Sequence, residues 1–397
     1  MSKIGVLIEK MCPKGVVYKS IGEVLDVFNG YAFDSSYFNS EQNGIPIIRI
    51  RDVNSGFSNT YFDGKFDEKY VVNDGELLIG MDGDFRINRW AHGRALLNQR
   101  VCRLQNFRGV LDSWIFHFMH EQLIRIQASS VSGTVNHLSS KQIAEIKVPI
   151  PPIEVQQEIV KILDTFTELE AELEAELAAR KTQYEFYRES LFGSHISTQK
   201  PLDSVASIWR GRRFVKDDIR SEGVPAIHYG EIYTKYGLAA TKAYSFLDSE
   251  LASKLRFVSP GDVVLVSAGE TIEDIGKSFT WLGEGDAVIH DACYGIRSSE
   301  IDPRYMVHFF NTHNFRSQLR KYISSSKISA ISTEKLGKVF IPVPSLEEQK
   351  VIANVLDSID RLVSDLSFGL PGEINARRQQ YEYFRGKLLT FKELEVA

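Results

Sequence analysis

The residues that come closest to a catalytic motif lie in GETIEDIGKS, residues 269–278. The phosphate-binding loop of nucleotide-binding proteins has a Gly, four residues, and then Gly-Lys-Ser or Gly-Lys-Thr. Gly276, Lys277 and Ser278 stand in that order, but Thr271 occupies the position of the first Gly. Because the loop needs Gly where its backbone approaches the phosphates, the sequence does not predict an ATP site here.

Other patterns for catalysis or metal binding are missing from the sequence. There is no Asn/Asp-Pro-Pro-Tyr/Phe tetrapeptide for methylating a flipped adenine, and no glycine-rich fingerprint for a dinucleotide or S-adenosylmethionine. The nine His residues do not stand at metal-ligand spacings. Cys12, Cys102 and Cys293 are far apart, which predicts reduced thiols. We therefore expect a chain that uses no cofactor or metal and is not an enzyme on its own.

The elements that would position functional residues are duplicated. VPIPPIEVQQEIVKILD (148–164) is answered by IPVPSLEEQKVIANVLD (341–357), and apolar residues follow at steps of three and four in both copies. This spacing predicts two helices with a coiled-coil seam. The matched seam residues are Ile159, Ile162, Phe166, Leu169 and Leu173 in the first copy and Ile352, Val355, Ile359, Leu362 and Leu366 in the second. We expect the first helix to run unbroken over about residues 154–190, and FGLPG (368–372) to divide the second.

Aromatic residues mark the end of each helix. ARKTQYEFYRESL (179–191) matches ARRQQYEYFRGKL (376–388), so that Tyr184 corresponds to Tyr381 and Tyr187 to Phe384. The apolar seam is explained by the two helices packing on each other. An aromatic cluster at an exposed helix end is typical of interface anchors, so internal packing and partner binding both stay open for these four residues.

The segments before each helix repeat as well. IGEVLDVFNGYAF (21–33) pairs with LDSVASIWRGRRF (202–214), GIPIIRIRDV (44–53) with GVPAIHYGEI (223–232), and DGELLIG (74–80) with PGDVVLVS (260–267). Short β-rich runs bounded by Gly and Pro predict strands and turns of a common scaffold. The predicted domains are 1–153 and 193–345 for the two modules and 154–192 and 346–390 for the helices.

Charge is distributed unevenly along the chain, whose net charge is −5. Residues 154–190 contain ten Asp or Glu against four Lys or Arg, and residues 345–397 contain nine against seven. The remainder therefore carries a charge of +3, which suits a nucleic-acid partner better than the total does. No stretch approaches the roughly 20 apolar residues of a membrane span, so we expect a soluble, cytoplasmic protein.

The duplicated order of these motifs resembles the specificity subunit of type I DNA restriction-modification systems, over nearly all of the chain. The resemblance implies an α+β fold in which two similar target recognition domains are joined by two long antiparallel helices, a coiled-coil spacer. It also implies double-stranded DNA as a partner, read as a site in two parts. The helices would hold two methyltransferase subunits, which use S-adenosylmethionine, and ATP-driven restriction subunits would join them.

Candidate DNA-binding residues follow the strand-like anchors, where a scaffold holds a variable loop. For each one alone, a solvated surface group is the alternative. In the first module the candidates are Arg49, Arg51, Asp52, Asn54, Asp84, Arg86, Thr134 and Asn136. In the second they are Arg212, Arg213, His228, Tyr229, Glu231, Glu270, Thr271 and Lys327. Gly133 and Thr134 resemble a Gly-Thr loop common in the family, and the second module departs from it with Ser326 and Lys327.

Two rival functions stay open at this level. A self-sufficient nuclease or methyltransferase would act on DNA without partners. A coiled-coil scaffold that binds only proteins would show no salt-sensitive binding of DNA.

Overall fold

The computed structural model describes residues 3–129, 137–193, 198–325 and 329–394. The chain divides into two compact units. Unit 1 comprises Met1–Leu173 and Ile374–Ala397, and unit 2 comprises Glu174–Glu373. This division follows three-dimensional contacts, so the four segments predicted from the sequence stay a prediction.

The first half of the chain contains two β-sheets and a β-ribbon flanked by helices. Its helices are α1 (Lys3–Met11), α2 (Ile21–Val24), α3 (Ile50–Ser55), α4 (Asp112–Ser129), α5 (Ser140–Glu145) and α6 (Ile153–Gly193), with 3-10 turns at Ser35–Tyr37 and Glu68–Tyr70. Its strands are β1 (Val17–Ser20), β2 (Asp26–Asn29), β3 (Phe38–Asn39), β4 (Ile45–Ile48), β5 (Tyr61–Phe62), β6 (Val71–Val72), β7 (Leu77–Gly80), β8 (Ile87–Arg89), β9 (Ala95–Leu97), β10 (Val101–Gln105) and β11 (Lys147–Ile150). The sheet orders are β2-β10-β7-β8 and β3-β5-β4-β9-β6, and β1 pairs with β11.

The second half repeats this architecture. Its helices are α7 (Leu202–Val205), α8 (Tyr229–Thr234), α9 (Ser249–Ala252), α10 (Pro303–Phe310), α11 (His313–Arg320), α12 (Thr333–Gly337), α13 (Leu346–Ser364) and α14 (Leu370–Leu388), with 3-10 turns at Lys216–Asp218 and Ile272–Asp274. Its strands are β12 (Thr198–Pro201), β13 (Ser207–Arg210), β14 (Val224–Ile227), β15 (Ala239–Ala240), β16 (Ser245–Leu247), β17 (Phe257–Val258), β18 (Val263–Val266), β19 (Ala268–Gly269), β20 (Ser278–Trp281), β21 (Ala287–Ile289), β22 (Cys293–Arg297), β23 (Ser324–Ser325), β24 (Ser329–Ala330) and β25 (Phe340–Val343).

The main strands of the two units correspond: β2-β10-β7-β8 matches β13-β22-β18-β20, and β5-β4-β9-β6 matches β16-β14-β21-β17. Among the described strands, β3 of unit 1 and β15, β19, β24 and β23 of unit 2 have no such counterpart. Unit 2 contains β13-β22-β18-β20-β15, β16-β14-β21-β17 and β19-β24-β23, and β12 pairs with β25. In unit 1 the parallel pair β4–β9 joins Ile48 to Leu97, and its counterpart β14–β21 joins Ile227 to Ile289. The central strands β7 and β18 are buried along their whole length, which explains their almost uninterrupted apolar sequences. The predicted common scaffold is confirmed.

One glycine in each unit permits a close approach of two backbone segments. A Cβ at Gly30 would lie 2.1 Å from the carbonyl oxygen of Asn98, and a Cβ at Gly211 would lie 2.2 Å from that of His290. Any larger residue would therefore force the segments apart. These two glycines occupy equivalent places in the sequence anchors 21–33 and 202–214.

The first long helix is unbroken and the second is divided, as the sequence analysis predicted. Helix α6 is continuous, whereas the second helix is divided into α13 and α14, with Pro371 in the first turn of α14. Proline is tolerated there because the first turn needs no intrahelical N–H donor. Within unit 1, Phe166 of α6 stacks on Phe384 of α14, and Glu170 lies beside Arg378. Residue numbers rise along α6 as those of the contacting residues fall along α14, so these two helices are antiparallel.

The predicted seam is buried only in part. Ile159 and Ile352 lie in the cores of units 1 and 2 respectively. The four exposed seam residues are Leu169, Val355, Leu362 and Leu366, and for them the expectation of a helix core is wrong. In the described part of the chain, none of the helices has the length and apolar character needed to cross a membrane.

Candidate nucleic-acid interface

The first candidate site in each unit is the junction between a buried strand and a short helix. In unit 1, Arg49 is the N-cap of α3, and its backbone N–H donates to the Asp52 carboxylate at 2.9 Å. In unit 2, His228 is the N-cap of α8, and its backbone N–H donates to Glu231 at 3.3 Å. The carboxylate satisfies a donor that the helix leaves unpaired, which explains why both helices have an acidic residue at this position.

The structure assigns Asp52 and Glu231 a structural role, which corrects the expectation that they reach base edges. Both residues are buried, and Glu231 also accepts a hydrogen bond from the Ser245 hydroxyl at 2.8 Å. Burial raises the pKa of Asp52, although hydrogen bonding by Ser58 acts in the opposite direction. A buried carboxylate that already accepts hydrogen bonds within its own unit is poorly placed to receive another from a cytosine in the groove.

The neighbouring side chains of α3 are available at the surface. Arg51 keeps 71% of its side chain exposed, and Asn54 is also exposed. The guanidinium of Arg49 is partly engaged because it donates to the Thr60 hydroxyl. Arg51 lies 3.6 Å from the Asp52 carboxylate, yet its exposed guanidinium and the exposed Asn54 can both approach DNA.

A second candidate loop lies beside the start of α3. It follows β7 and carries Asp84 and Arg86, whose side chains form an ion pair at 3.0 Å. A Cβ at Gly80, the last residue of β7, would lie 3.4 Å from Ile50 of α3. The structure thus brings two separate sequence anchors of unit 1 together. Thr134 and Asn136 lie outside the described residues.

In unit 2 the equivalent junction is aromatic. The rings of His228 and Tyr229 lie 4.5 Å apart, and His290 lies 4.9 Å from His228. Burial lowers the pKa of both histidines. Arg213 is exposed, while Arg212 donates to the carbonyl of Lys254 at 2.6 Å.

The loop after β18 carries the remaining candidates of unit 2. Glu270 and Thr271 are both exposed, and the backbone N–H of Thr271 donates to Asp274 at 3.2 Å. A Cβ at Gly269 would lie 3.1 Å from the Tyr233 hydroxyl of α8, so this loop adjoins the helix as in unit 1. Lys327 lies outside the described residues.

The four aromatic residues at the helix ends divide into two pairs. Tyr184 and Tyr381 keep only 7% and 6% of their surfaces exposed, so the expectation of exposed anchors is wrong for them. Tyr187 and Phe384 are 41% and 39% exposed, and partner binding stays a prediction for these two. The buried tyrosines instead contact histidines of their own unit.

The sequence analysis missed a buried hydrogen-bonded triad in unit 1, formed by Tyr381, His117 and Asp164. The Nε2–H of His117 donates to Asp164 at 2.8 Å, because an ionised carboxylate is acceptor-only. The Tyr381 hydroxyl then donates to Nδ1, also at 2.8 Å. This unit-1 triad joins three helices, α4, α6 and α14. Burial lowers the pKa of His117 although the neighbouring carboxylate acts in the opposite direction. Burial therefore stabilises the neutral ring.

Unit 2 repeats the arrangement as the unit-2 triad of Tyr184, His308 and Asp357. Nε2 of His308 lies 2.7 Å from Asp357, and Nδ1 lies 3.3 Å from the Tyr184 hydroxyl. Arg304 also binds Asp357 at 2.9 Å. A sequence signal existed for both triads, since WIFHF (114–118) and YMVHF (305–309) place His at the same position.

A buried glutamine also fixes each scaffold to the helix that follows it. Gln156 donates to the carbonyl of Pro151 at 2.8 Å and accepts from the N–H of Leu111 at 2.9 Å. Gln349 makes the matching bonds to Pro344 at 2.9 Å and Asp302 at 2.7 Å. The duplicated Pro-x-Pro and Gln motif therefore sets where each helix leaves its scaffold.

These features define a class of protein with two similar recognition units. At strand ends the two units present different side chains on the same scaffold, and buried polar groups tie each unit to long helices. Among the described residues, no group of His, Cys, Asp and Glu could hold a metal ion.

The family model "Type I restriction modification DNA specificity domain" matches residues 13–179 and 197–376, so the chain belongs to this family. It is similar to the type I restriction enzyme EcoBI specificity subunit of Escherichia coli, with 28% identity over 383 residues, 86% of this chain and 78% of that protein. The predicted DNA-recognition role is therefore confirmed. The chain is a non-catalytic specificity subunit of a type I restriction-modification complex.

Two solved structures share the fold. The S subunit of the type I restriction-modification system from M. genitalium matches with a TM-score of 0.55 at 14% identity, over 94% of this chain and 96% of that one. A chain from a study of the assembly and conformational transition of the type I system matches with a TM-score of 0.60 at 18% identity, over 95% and 98%. The predicted α+β fold with an internal repeat is confirmed.

Proposed function

We propose that the chain reads an interrupted DNA site in two parts, one for each unit. The observation that carries this proposal is a shared scaffold with different side chains. The β4–α3 and β14–α8 junctions have the same topology and the same acidic cap, yet Arg49 and Ile50 are replaced by His228 and Tyr229. Because base edges are distinguished by the side chains that meet them, equal scaffolds with unequal side chains suit two different half-sites.

We also propose that the helices hold two methyltransferase subunits, and that restriction subunits join the complex they form. The exposed Tyr187 and Phe384 support this proposal, since aromatic side chains are enriched among the residues that dominate interfaces. Leu362 of α13 and Leu366, in the break between α13 and α14, add exposed apolar surface. Catalysis would then come from these partners, and the present chain would direct them to the site.

An exchange of variable segments tests the division of labour. Residues 34–131 would be replaced by the equivalent part of a relative, and methylated adenines would be mapped in cells that carry the hybrid. We expect one half of the bipartite sequence to change while the other half and the gap stay the same. Changes in both halves would contradict the assignment of one half-site to each unit.

A single substitution tests the reading surface of unit 1. Arg51→Ala should weaken binding of the specific duplex by about 1 to 3 kcal/mol if the side chain contacts a guanine bidentately. Lys14→Ala is the matched control, because Lys14 is also an exposed cation but belongs to the segment beside Lys392. Equal losses for both variants would mean that Arg51 supplies only general charge.

The rival functions predict different behaviour. Purified chain that cuts or methylates DNA without partners would favour the enzyme. A chain that shows no salt-sensitive DNA binding, even with the methyltransferase present, would favour the scaffold.

A further inference from the structure

Unit 1 contains a small ion cluster at the base of its candidate loops. Asp82 lies 3.2 Å from Nε of Arg100 and also pairs with His137, and Nη1 of Arg100 lies 3.4 Å from Nδ1 of His137. Backbone pairing sets this geometry, because Asp82 and His137 form a β-bridge and the N–H of Met81 donates to the carbonyl of Arg100. Three charged or polar side chains therefore fill this place in unit 1.

Unit 2 has the same backbone pairing at the equivalent position, but none of the three side chains of the ion cluster. Ala268 pairs with Ala330 as Asp82 pairs with His137. The N–H of Ser267 donates to the carbonyl of Ala292, as Met81 does to Arg100. Alanine thus stands at each of the three positions.

A cavity of about 400 Å³ occupies this place in unit 2. Arg210 and Lys335 supply positive charge to its lining, Tyr294 and Tyr322 are its aromatic residues, and further hydroxyl groups come from serines and a threonine. None of the described residues that line it is acidic. Asp291, outside the lining, binds Arg210 through its carbonyl at 2.7 Å and its carboxylate at 3.5 Å.

Unit 1 has no equivalent of the two cations. The position of Arg210 is taken by Asn29, whose amide donates to the Ser140 hydroxyl at 3.0 Å, and the position of Lys335 is taken by Gln142. Gln142 is itself bound in the cap of α5. Among the described residues, the two cations at this place are therefore a feature of unit 2.

We propose that this cavity binds a phosphate group of the DNA backbone beside the half-site read by unit 2. This inference rests on the proposed function. Arg and Lys, assisted by hydroxyl groups, are the donors that proteins use for DNA phosphates, and such contacts fix the register of a reading surface. The cavity adjoins Ala268, which leads directly into Glu270 and Thr271, so a phosphate held here positions these side chains over the bases.

The test uses the chain in complex with its methyltransferase subunits and a duplex that contains the recognised site. Arg210→Ala combined with Lys335→Ala should reduce the slope of log affinity against log salt by about one, the contribution of one phosphate. The matched unit 1 variant, Asn29→Ala with Gln142→Ala, should keep the wild-type slope. Methylation should still occur at the same sequence, because phosphate contacts carry no base information.

A second variant keeps the inference testable if loss of the Arg210 bonds to Asp291 disturbs the fold. Lys335→Gln alone changes an exposed side chain that forms no ion pair within the described chain, and it should lower the same slope. Conversely, transfer of the ion cluster by Ala268→Asp, Ala292→Arg and Ala330→His should fill the cavity and weaken binding.

An unchanged slope for both cation variants would overturn the inference while leaving the proposed function intact, provided that the wild-type complex binds its site in a salt-dependent way. Absence of salt-dependent binding by the wild type would instead defeat the proposed function. Inorganic phosphate and deoxyadenosine monophosphate provide a further arm. If either shifts the melting temperature of wild type but not of Arg210→Ala, while duplex binding is equal for both, the cavity is a small-molecule site and not a DNA contact.

Discussion

Replacing His117 with Ala tests whether the unit-1 triad holds α4 against α6 and α14. The histidine is fully buried, and both of its ring nitrogens are hydrogen-bonded at 2.8 Å. Alanine removes both bonds at once. The Tyr381 hydroxyl then stays buried without its acceptor, whereas Asp164 has 42% of its side chain exposed and can be hydrated by water.

The expected loss of stability combines three contributions. The bond to the partly exposed Asp164 is worth about 1 kcal/mol, less than the roughly 1.5 to 3 of a buried charged hydrogen bond. The unpaired tyrosine hydroxyl costs about 1 to 3 kcal/mol, and the space left by the ring adds about 1. We expect a total of about 4 kcal/mol. For a unit of this size, that corresponds to a fall in melting temperature of roughly 10 °C.

The matched variant is His308→Ala in unit 2. Its loss should be smaller, about 2 to 3 kcal/mol, because the bond to Tyr184 is longer at 3.3 Å and Asp357 keeps Arg304 as a partner. Calorimetry measures the size of each loss. Hydrogen exchange locates it, since amides of α4 should lose protection in the first variant and amides of α10 in the second.

A double-mutant cycle decides whether the bond itself is responsible. His117→Ala and Tyr381→Phe should be coupled by about 1 kcal/mol or more, because the second change has little left to remove once the first is made. Additive effects within about 0.5 kcal/mol would refute the reasoning, and the triad would then be a packing contact only.

Three further predictions concern pH, assembly and spacing. Burial beside an arginine lowers the pKa of His120 to about 4, so the unfolded chain binds this proton more readily than the folded chain does. The stability that His120 contributes to unit 1 should be complete above about pH 6.5 and fall by about 2 kcal/mol by pH 5. In urea titrations His120→Gln should remove this contribution and leave only the acid loss from other groups such as His117, whose pKa burial also lowers. Tyr187→Ala with Phe384→Ala should weaken co-purification with a methyltransferase subunit at least tenfold, and undiminished recovery would mean that these rings do not contact it. Inserting Glu-Leu-Glu-Ala after Ala175 lengthens the continuous α6 by about 6 Å and should widen the gap between the DNA half-sites by one or two base pairs. The same insertion within residues 369–372 should change this gap less. Methylation mapping that finds the same gap after the α6 insertion would rule out this helix as the spacer.

Local sequence patterns were sufficient for the repeat and for most of its elements. The continuous α6 and the break between α13 and α14 follow from helix propensity and from Pro371, which act over a few residues. The matched anchors predicted strands, and β2, β4 and β7 lie within them, but the same anchors also contain the short helices α2 and α3, because short apolar runs do not by themselves distinguish a strand from a helix. The family assignment rests on the order of these same motifs, so it too could be made before any contact was known.

The roles of individual side chains depended on contacts between distant parts of the chain. Tyr381 lies 264 residues from His117, and periodicity alone could not show that the tyrosine is buried while Phe384, one turn away, is exposed. Asp52 looked like a base-reading residue because sequence does not reveal whether a carboxylate points outward or caps its own helix. Nothing in the sequence around Ala268 indicated that a cavity lies beside it.

The physical reason is the range of the interactions involved. Helix and strand formation is governed by neighbours within about four residues, and those neighbours are visible in the sequence. Burial, hydrogen-bond partners and cavities arise where elements meet, and each depends on residues far away along the chain. The sequence by itself therefore determined the repeated architecture and its family, whereas only the tertiary structure decided which polar side chains support the scaffold and which remain free to meet DNA.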